Sequence, residues 1–175
     1  MTFTIREERA GDEAEVHRVV TAAFGGPAEA DLVEALRASE AWLPGLSLVA
    51  IEDGDVAGHA LFTRAAIQTA DTRLPIVALA PVAVVPARQR EGLGGALIRA
   101  GLERARANGE RIAIVLGHPG YYPRFGFEPA VPRAITCVFA QGEHESAFMA
   151  LALAPGALDG IRGRAEYASA FGAFE

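Results

Sequence analysis

The sequence predicts an α/β fold in which helices flank one mixed sheet. Two observations lead to this prediction. Strand-like segments follow one another through short turns in the first half of the chain, whereas a strand, an amphipathic helix and a second strand follow one another in the middle. Hydrophobic residues make up 51% of the 175 residues, so one domain spanning residues 1–175 has enough apolar side chains for a sizeable core.

One strand pattern and two helix patterns open the chain. Residues 3–8 (FTIREE) are typical of a strand. Residues 10–25 predict a helix, because apolar residues recur on one face, and Asp12 followed by Glu15 indicates a capping box at its start. Residues 27–39 indicate a second helix with a proline near its first turn.

Three strand patterns come next. Residues 46–53 and 56–68 flank the dipeptide Gly54-Asp55, which indicates a hairpin turn. Residues 73–85 (RLPIVALAPVAVV) predict the following strand, because apolar residues dominate the run. These segments account for the antiparallel part of the fold.

The remaining elements surround a long helix. Residues 92–108 predict this helix, since their apolar side chains occupy one half of the helical wheel. Residues 111–116 predict a buried strand, and residues 117–126 a short helix or loop. Residues 134–140 and 147–153 indicate a closing pair of strands.

Composition excludes several kinds of chemistry. All 16 basic residues are arginine, so a lysine nucleophile or Schiff base is excluded. The single cysteine, Cys137, excludes an internal disulfide and a multi-cysteine metal site. A net charge of −6 argues against a nucleic-acid partner. Neither a membrane-spanning apolar run nor a signal-peptide pattern is visible, and we therefore expect a cytoplasmic protein that does not bind membranes.

A glycine-rich segment precedes the long helix. Residues 88–97 (RQREGLGGAL) place three glycines where the N–H groups of a helix start are unpaired, which suits a phosphate, and Arg88 and Arg90 add positive charge. The segment is no Walker loop, because the chain lacks lysine, and no dinucleotide fingerprint, because Leu97 replaces the third glycine. Taken alone, the glycines are equally compatible with close helix packing.

A proline stands inside the strand before this segment. Pro81 cannot donate a hydrogen bond to a neighbouring strand, so we expect a bulge or an interruption there. Backbone groups of Val82, Ala83 and Val84 would then be free for a ligand. A harmless position at a sheet edge is the alternative interpretation.

These residues carry a resemblance to a known family. Gln89-x-x-Gly92-x-Gly94, between PVAVVPAR and an amphipathic helix, resembles the acyl-CoA signature of the GNAT N-acetyltransferases. The later YYPRFGFEPA resembles the Tyr-x-x-x-Gly-Phe segment of the same superfamily, with Tyr122 and Gly126 in register. The resemblance extends from about residue 11 to the end of the sequence and is strongest to the YhbS-like branch.

The resemblance implies a GNAT-like mixed sheet of about six to seven strands, splayed in the middle and flanked by about four helices. It further implies that pantetheine enters between the strands 77–85 and 111–116 as an extra strand, and that pyrophosphate rests on backbone amides at the helix start. The residues implied to bind acetyl-CoA are Val82, Ala83, Val84, Gln89, Arg90, Glu91, Gly92, Leu93, Gly94 and Gly95.

The resemblance also implies a catalytic residue. Tyr122 corresponds to the tyrosine near the sulfur of coenzyme A, where a phenol can donate a proton to the departing thiolate. Many relatives carry a glutamate base on the central strand. Here residues 79–81 are Leu-Ala-Pro, so this sequence lacks a carboxylate in that stretch.

The general base is therefore left open. His59 and His118 are candidates by residue type, although a lone histidine more often has a structural role. Glu29, Asp31 and Glu34 on the second predicted helix are candidates for lining the acceptor pocket, and a solvated acidic face is the alternative.

The resulting expectation is an N-acetyltransferase that moves an acetyl group from acetyl-CoA to an unidentified amine by direct attack in a ternary complex, without a metal. A non-catalytic acyl-CoA-binding or regulatory module with the same fold is the alternative, and a generic α/β domain is a third interpretation. A homodimer is compatible with the sequence.

Overall fold

A computed structural model describes residues 2–174, and in that part of the chain it contains one nine-stranded sheet, three α-helices and five short 3₁₀ segments. The helices are α1 (Glu13–Phe24), α2 (Ala28–Arg37) and α3 (Leu93–Ala107). The strands are β1 (Thr4–Glu7), β2 (Trp42–Glu52), β3 (Asp55–Gln68), β4 (Arg73–Val84), β5 (Ile112–Leu116), β6 (Glu128–Pro129), β7 (Ile135–Cys137), β8 (Phe148–Ala152) and β9 (Gly163–Glu166). The 3₁₀ segments are Pro86–Arg88, Tyr122–Phe125, Val131–Arg133, Gly142–Ala147 and Ser169–Phe174.

Seven strands form the main path of the sheet, in the order β1-β2-β3-β4-β5-β8-β6. The first four make the predicted antiparallel meander, and β4 and β5 are the parallel pair that α3 connects. The mixed α/β fold predicted from the sequence is therefore confirmed. Strand β9 pairs with the far end of β3 and with β7, beside this path.

The hairpin between β2 and β3 turns one residue earlier than predicted. Glu52 pairs with Asp55, which leaves Asp53 and Gly54 as the two turn residues. Both have positive φ, at 51° and 87°, and this is the backbone that a two-residue hairpin of matching twist requires. The prediction of Gly54-Asp55 was wrong because Asp55 is the first residue of the returning strand.

The predicted closing pair of strands is also wrong in its partners. Strand β7 pairs with β9, whereas β8 pairs with β5 and β6, so β7 and β8 do not pair with each other. Strand β9 (GRAE) was not predicted, since its four residues show neither apolar alternation nor β-branched side chains. Tertiary pairing overrides local propensity in this part of the chain.

The predicted capping box at α1 does not form. No side chain caps the helix; the Asp12 carboxylate instead accepts from the Arg6 guanidinium at 2.7 Å and from the Arg9 N–H at 2.8 Å. Glu15 pairs with Arg18 at 2.8 Å on the same helix. An arginine on β1 thus competes successfully for the capping carboxylate and ties α1 to the sheet.

The two faces of the sheet carry different helices. Along β3, Ala60 and Phe62 pack with α3, while Leu61 between them packs with α1 and α2, because successive side chains of a strand point to opposite faces. Helix α3 approaches the sheet closely at Gly101, where an added Cβ would lie 2.1 Å from the Phe62 ring.

The middle of the sheet opens. Its parallel ladder joins Val77, Ala78 and Leu79 of β4 to residues 113–115 of β5 and then ends, although β4 continues for five more residues. The register between β3 and β4 shifts between the pairs Phe62–Leu79 and Ala60–Val82, which places a bulge at Ala80 and Pro81. The expected interruption at Pro81 is present.

Candidate active site

The opening between β4 and β5 exposes one edge of a strand. From Val82 to Val84, after the bulge, β4 pairs with β3 on one side and, in the ladders of residues 2–174, with no strand on the other. Such an edge presents unpaired N–H and C=O groups and can accept an extended ligand as an added strand.

Helix α3 begins beside this edge with free N–H groups. Gly92 has φ of 93°, in the left-handed region that favours glycine, and the first helical bond runs from the Ala96 N–H to the Gly92 carbonyl at 3.0 Å. The N–H groups of residues 93–95 therefore have no acceptor within the helix. The Gln89 amide donates to the Val84 carbonyl at 3.0 Å and links the loop to the strand.

A cavity of about 600 Å³ lies at this helix start, here called the helix-start cavity. It brings together seven of the ten predicted acetyl-CoA-binding residues: Val82, Val84, Gln89, Arg90, Gly92, Gly94 and Gly95. The side chains of the other three lie elsewhere. Ala83 and Leu93 are buried in the core on opposite sides of the sheet, and Glu91 pairs with Arg88 at 2.9 Å.

Three arginines give this cavity a positive wall. Arg90, Arg99 and Arg124 line it, and none of them forms an ion pair with another side chain in the part of the chain that is described. Arg88, by contrast, pairs with Glu52 at 2.6 Å and with Glu91, so these two carboxylates offset its charge. Unpaired guanidinium groups and free helix N–H groups together favour a phosphate-bearing ligand.

A second cavity, of about 610 Å³, lies on the other side of the sheet opening, here called the aromatic cavity. It shares residues with the helix-start cavity, namely Phe24, Val82, Tyr121 and Tyr122. The rest of its lining is Ala28, Glu29, Leu32, Leu79, Ala80, Pro81, Leu116, Gly117, His118, Phe139, Tyr167 and Phe171. The two cavities thus meet at Val82, next to the bulge in β4, and at Tyr122.

Close packing fixes the ring of Tyr122 at this junction. An added Cβ at Gly117 would lie 2.2 Å from the Tyr122 ring, so glycine there lets the ring lie against the backbone. Phe127 packs edge-on at 5.9 Å and Tyr121 at 5.2 Å between ring centroids. Burial raises the pKa of Tyr122 to about 12, with a further contribution from Tyr121, so the phenol keeps its proton at neutral pH.

The histidines predicted as alternative bases occupy different environments. His59 is fully buried and its Nε2 lies 2.9 Å from the Ser47 hydroxyl, so it belongs to a structural network away from both cavities. His118 is exposed at the aromatic cavity, where its Nδ1 accepts from the Gly120 N–H at 3.1 Å.

The acidic residues of α2 also occupy different environments. Glu29 lines the aromatic cavity. Asp31 and Glu34 are exposed outside both cavities, and Asp31 pairs with His17 at 3.1 Å. A carboxylate is therefore present at the aromatic cavity, but it comes from α2 rather than from the central strand.

Sequence reasoning missed several lining residues. Arg99 lines the helix-start cavity and follows Gly95 by one helical turn, and this spacing was a usable signal. Phe139, Tyr167 and Phe171 reach the aromatic cavity from the C-terminal third of the chain, and no local pattern identifies them.

A splayed α/β sheet with an open strand edge beside a glycine-rich helix start is the architecture of an acyltransferase that takes its acyl group from coenzyme A. Residues 4–130 match the family described as acetyltransferase (GNAT) domain, and the chain belongs to this family of N-acetyltransferases. The sequence resemblance is thereby confirmed.

Two relatives from Escherichia coli (strain K12) are similar in sequence. The uncharacterized N-acetyltransferase YjhQ is 45% identical over 127 residues, which cover 73% of this chain and 70% of YjhQ. The uncharacterized N-acetyltransferase YhbS is 36% identical over 171 residues, covering 97% of this chain and 99% of YhbS.

Two solved structures are similar in fold. Escherichia coli YhbS in complex with CoA has a TM-score of 0.90 at 33% identity and covers 99% of this chain and 93% of that one. A GNAT family acetyltransferase from Brucella melitensis in complex with acetyl-CoA has a TM-score of 0.78 at 39% identity and covers 97% of this chain and 98% of that one. Within residues 2–174, no helix of this chain combines the length and hydropathy needed to cross a bilayer.

Proposed function

We propose that this protein transfers an acetyl group from acetyl-CoA to an amine by direct attack within a ternary complex. The observation that carries the proposal is the meeting of two cavities at Val82 and Tyr122, one with a positive wall and one largely apolar. Each cavity takes one substrate, so the thioester and the amine meet at the opening of the sheet.

Acetyl-CoA occupies the helix-start cavity. Its pyrophosphate accepts hydrogen bonds from the free N–H groups of residues 93–95, and Arg90, Arg99 and Arg124 offset its charge. Its pantetheine arm lies along the open edge of β4 toward Tyr122. The solved relatives bound to CoA and acetyl-CoA support acetyl-CoA as the ligand.

The amine nitrogen attacks the thioester carbon, and the carbon–sulfur bond breaks as the tetrahedral intermediate collapses. The Tyr122 hydroxyl donates its proton to the departing sulfur. The resulting phenolate regains a proton from the nitrogen, which must lose one to become an amide. Protons and charge therefore balance without a metal or a covalent enzyme intermediate.

Before attack, the ammonium form of the acceptor must lose one further proton. Water or one of two side chains can accept it. Glu29 and His118 line the aromatic cavity, and Tyr121, Tyr122 and Tyr167 are the other titratable groups on its described wall. His118 is exposed to solvent at this cavity.

Gly94→Asp tests the assignment of acetyl-CoA to the helix-start cavity. An added Cβ at Gly94 meets atoms at 3.5 and 3.7 Å, which is ordinary contact, and aspartate in the first turn of a helix is electrostatically favourable, so the variant folds. Its carboxylate repels the phosphates. We expect calorimetry to show acetyl-CoA affinity at least about tenfold weaker, equivalent to about 1.4 kcal/mol.

Ala107→Asp, at the exposed far end of α3, is the matched charge control and should keep wild-type affinity. Unchanged binding in Gly94→Asp would contradict the site. Release of CoA on addition of an amine tests the reaction itself, and tight binding without turnover would instead indicate a CoA-binding module.

A further inference from the structure

Aromatic side chains form one wall of the aromatic cavity. Tyr167 packs edge-on against Phe139 at 5.6 Å and against Phe171 at 5.0 Å between ring centroids, and we call these three residues the aromatic wall. Phe24 and Leu116 also border the cavity while 46% and 39% exposed. Large apolar side chains are rarely left to water together without a ligand or partner to cover them.

Charge distinguishes this cavity from its neighbour. Glu29 is its one carboxylate, and no arginine lines it in the described part of the chain, whereas the helix-start cavity holds three. The carboxylate favours a cationic ammonium group near the cavity. An acceptor carrying its own carboxylate or phosphate would find no cation there to pair with.

The aromatic wall also holds an unsatisfied polar atom. The Tyr167 hydroxyl is buried and has no hydrogen-bond partner among residues 2–174. Burial, with Cys137 and Tyr122 nearby, raises the pKa of Tyr167, so this group is an uncharged hydroxyl. A wall of rings with one neutral hydroxyl suits an apolar body better than a highly charged chain.

We propose that the acceptor is a small primary amine carried on an aromatic ring or a comparably apolar body. This inference rests on the proposed transfer reaction and names its substrate class. The body packs against the aromatic wall, the ammonium group is attracted by Glu29, and the nitrogen faces the opening at Tyr122. The cavity volume of about 610 Å³ accommodates a molecule of this size.

A matched set of acceptors tests the inference. 2-Phenylethylamine, phenylalanine, spermidine and a lysine-containing peptide are compared by kcat/KM for CoA release at saturating acetyl-CoA. We expect 2-phenylethylamine to exceed spermidine and the peptide by about tenfold or more, because only its ring is buried against the aromatic wall. It should exceed phenylalanine by a similar factor, because the phenylalanine carboxylate finds no cation in this cavity. A higher value for spermidine, phenylalanine or the peptide would overturn the substrate class and leave the transfer reaction intact.

Variants then place the acceptor in the cavity. Phe171→Ala should raise KM for 2-phenylethylamine about tenfold without changing acetyl-CoA affinity, and Val138→Ala, which removes an exposed apolar side chain outside both cavities, should not. Glu29→Gln should raise the same KM, whereas Glu34→Gln on the same helix should not. Equal KM values in all four variants would overturn the inference, whereas acetyl-CoA binding with no acetylation of any amine would overturn the transfer function.

Discussion

At the residue scale, Tyr122 is where both cavities and the proposed chemistry meet. Tyr122→Phe removes only the hydroxyl and leaves the ring on Gly117 and Phe127. We expect turnover to fall by roughly 10²–10⁴-fold, because general acid catalysis contributes about this much, with acetyl-CoA affinity unchanged. Steady-state kinetics and calorimetry measure the two quantities.

Tyr121→Phe is the control for this prediction, since it removes a neighbouring phenol from the same junction and should leave turnover within a few-fold of wild type. Full turnover in Tyr122→Phe would reduce Tyr122 to a wall of the cavity. The thiolate would then leave without a proton from the protein.

The high pKa of Tyr122 also predicts the shape of the pH profile. A catalytic acid works while protonated, and burial raises the pKa of this phenol to about 12, so its activity is lost only as pH rises through that range. Between about pH 6 and 10, kcat/KM should rise as the amine and any base lose protons, with no descending alkaline limb. A descending limb in this window, with the fold intact by circular dichroism, would point to a different acid.

The positions of the glycines at a helix start and of Tyr122 beside the sheet opening were predictable, because both depend on local sequence patterns. Three glycines at a helix start and a tyrosine four residues before a glycine are visible as short patterns. The positions of Arg99 and Tyr167 in the cavity walls depend on which elements pack beside them, and a short stretch of sequence does not encode this. For Arg88 the local pattern was misleading. The motif predicts that its charge faces a phosphate, whereas its guanidinium pairs with Glu52.

At the element scale, one buried polar network joins four parts of the fold. The Glu8 carboxylate, just after β1, accepts from Ser47 on β2 and from Arg37 on α2, and lies 3.6 Å from His59 on β3. Burial alone would raise the pKa of Glu8, but His59, Ser47 and Arg37 outweigh it and lower the pKa. The network therefore stabilises the folded state through an ionised buried carboxylate.

Glu8→Gln should lower the free energy of unfolding at pH 7 by about 1–3 kcal/mol, the cost of weakening buried charged hydrogen bonds. A carboxylate with a lowered pKa stabilises above its ordinary pKa, and this contribution is lost as pH falls through the folded value. The difference from wild type in urea unfolding should thus shrink below about pH 4.5. Glu7→Gln, at an exposed neighbour, should have little effect; equal stabilities of wild type and Glu8→Gln at pH 7 would contradict the prediction.

Element prediction succeeded where periodicity and turn residues agreed. Helix α3 and strands β4 and β5 have strong apolar patterns, and their bounds lie close to those predicted. The pairing of β7, β8 and β9 could not be predicted from the sequence, because tertiary packing rather than local propensity determines strand partners.

At the scale of the whole molecule, the opening of the sheet separates two charge environments in one chain. A net charge of −6 gives no sign of the positive wall formed by Arg90, Arg99 and Arg124, since it sums the charges of the whole chain and folding brings these three together. The bulge at Ala80 and Pro81 leaves one strand edge open beside the helix-start cavity while the adjoining residues face the aromatic cavity. Binding in the two cavities should therefore be separable.

Ligand-linked stability measures this separation. A ligand that binds only the folded state adds about 2.7 kcal/mol to the free energy of unfolding at 100 times its Kd, which for a chain of this size raises Tm by roughly 5–10 °C. We expect acetyl-CoA, at a fixed concentration 100 times the wild-type Kd, to produce this shift in wild type and in Phe171→Ala. Phe171 lines the aromatic cavity, whereas acetyl-CoA is proposed to bind in the helix-start cavity. Gly94→Asp, whose affinity is expected to be at least about tenfold weaker, should lose about half of the shift or more, since its carboxylate would repel the phosphates. Differential scanning calorimetry with and without acetyl-CoA measures the shift in Tm for each variant. A shift retained in Gly94→Asp but lost in Phe171→Ala would show that the two cavities have been assigned to the wrong substrates.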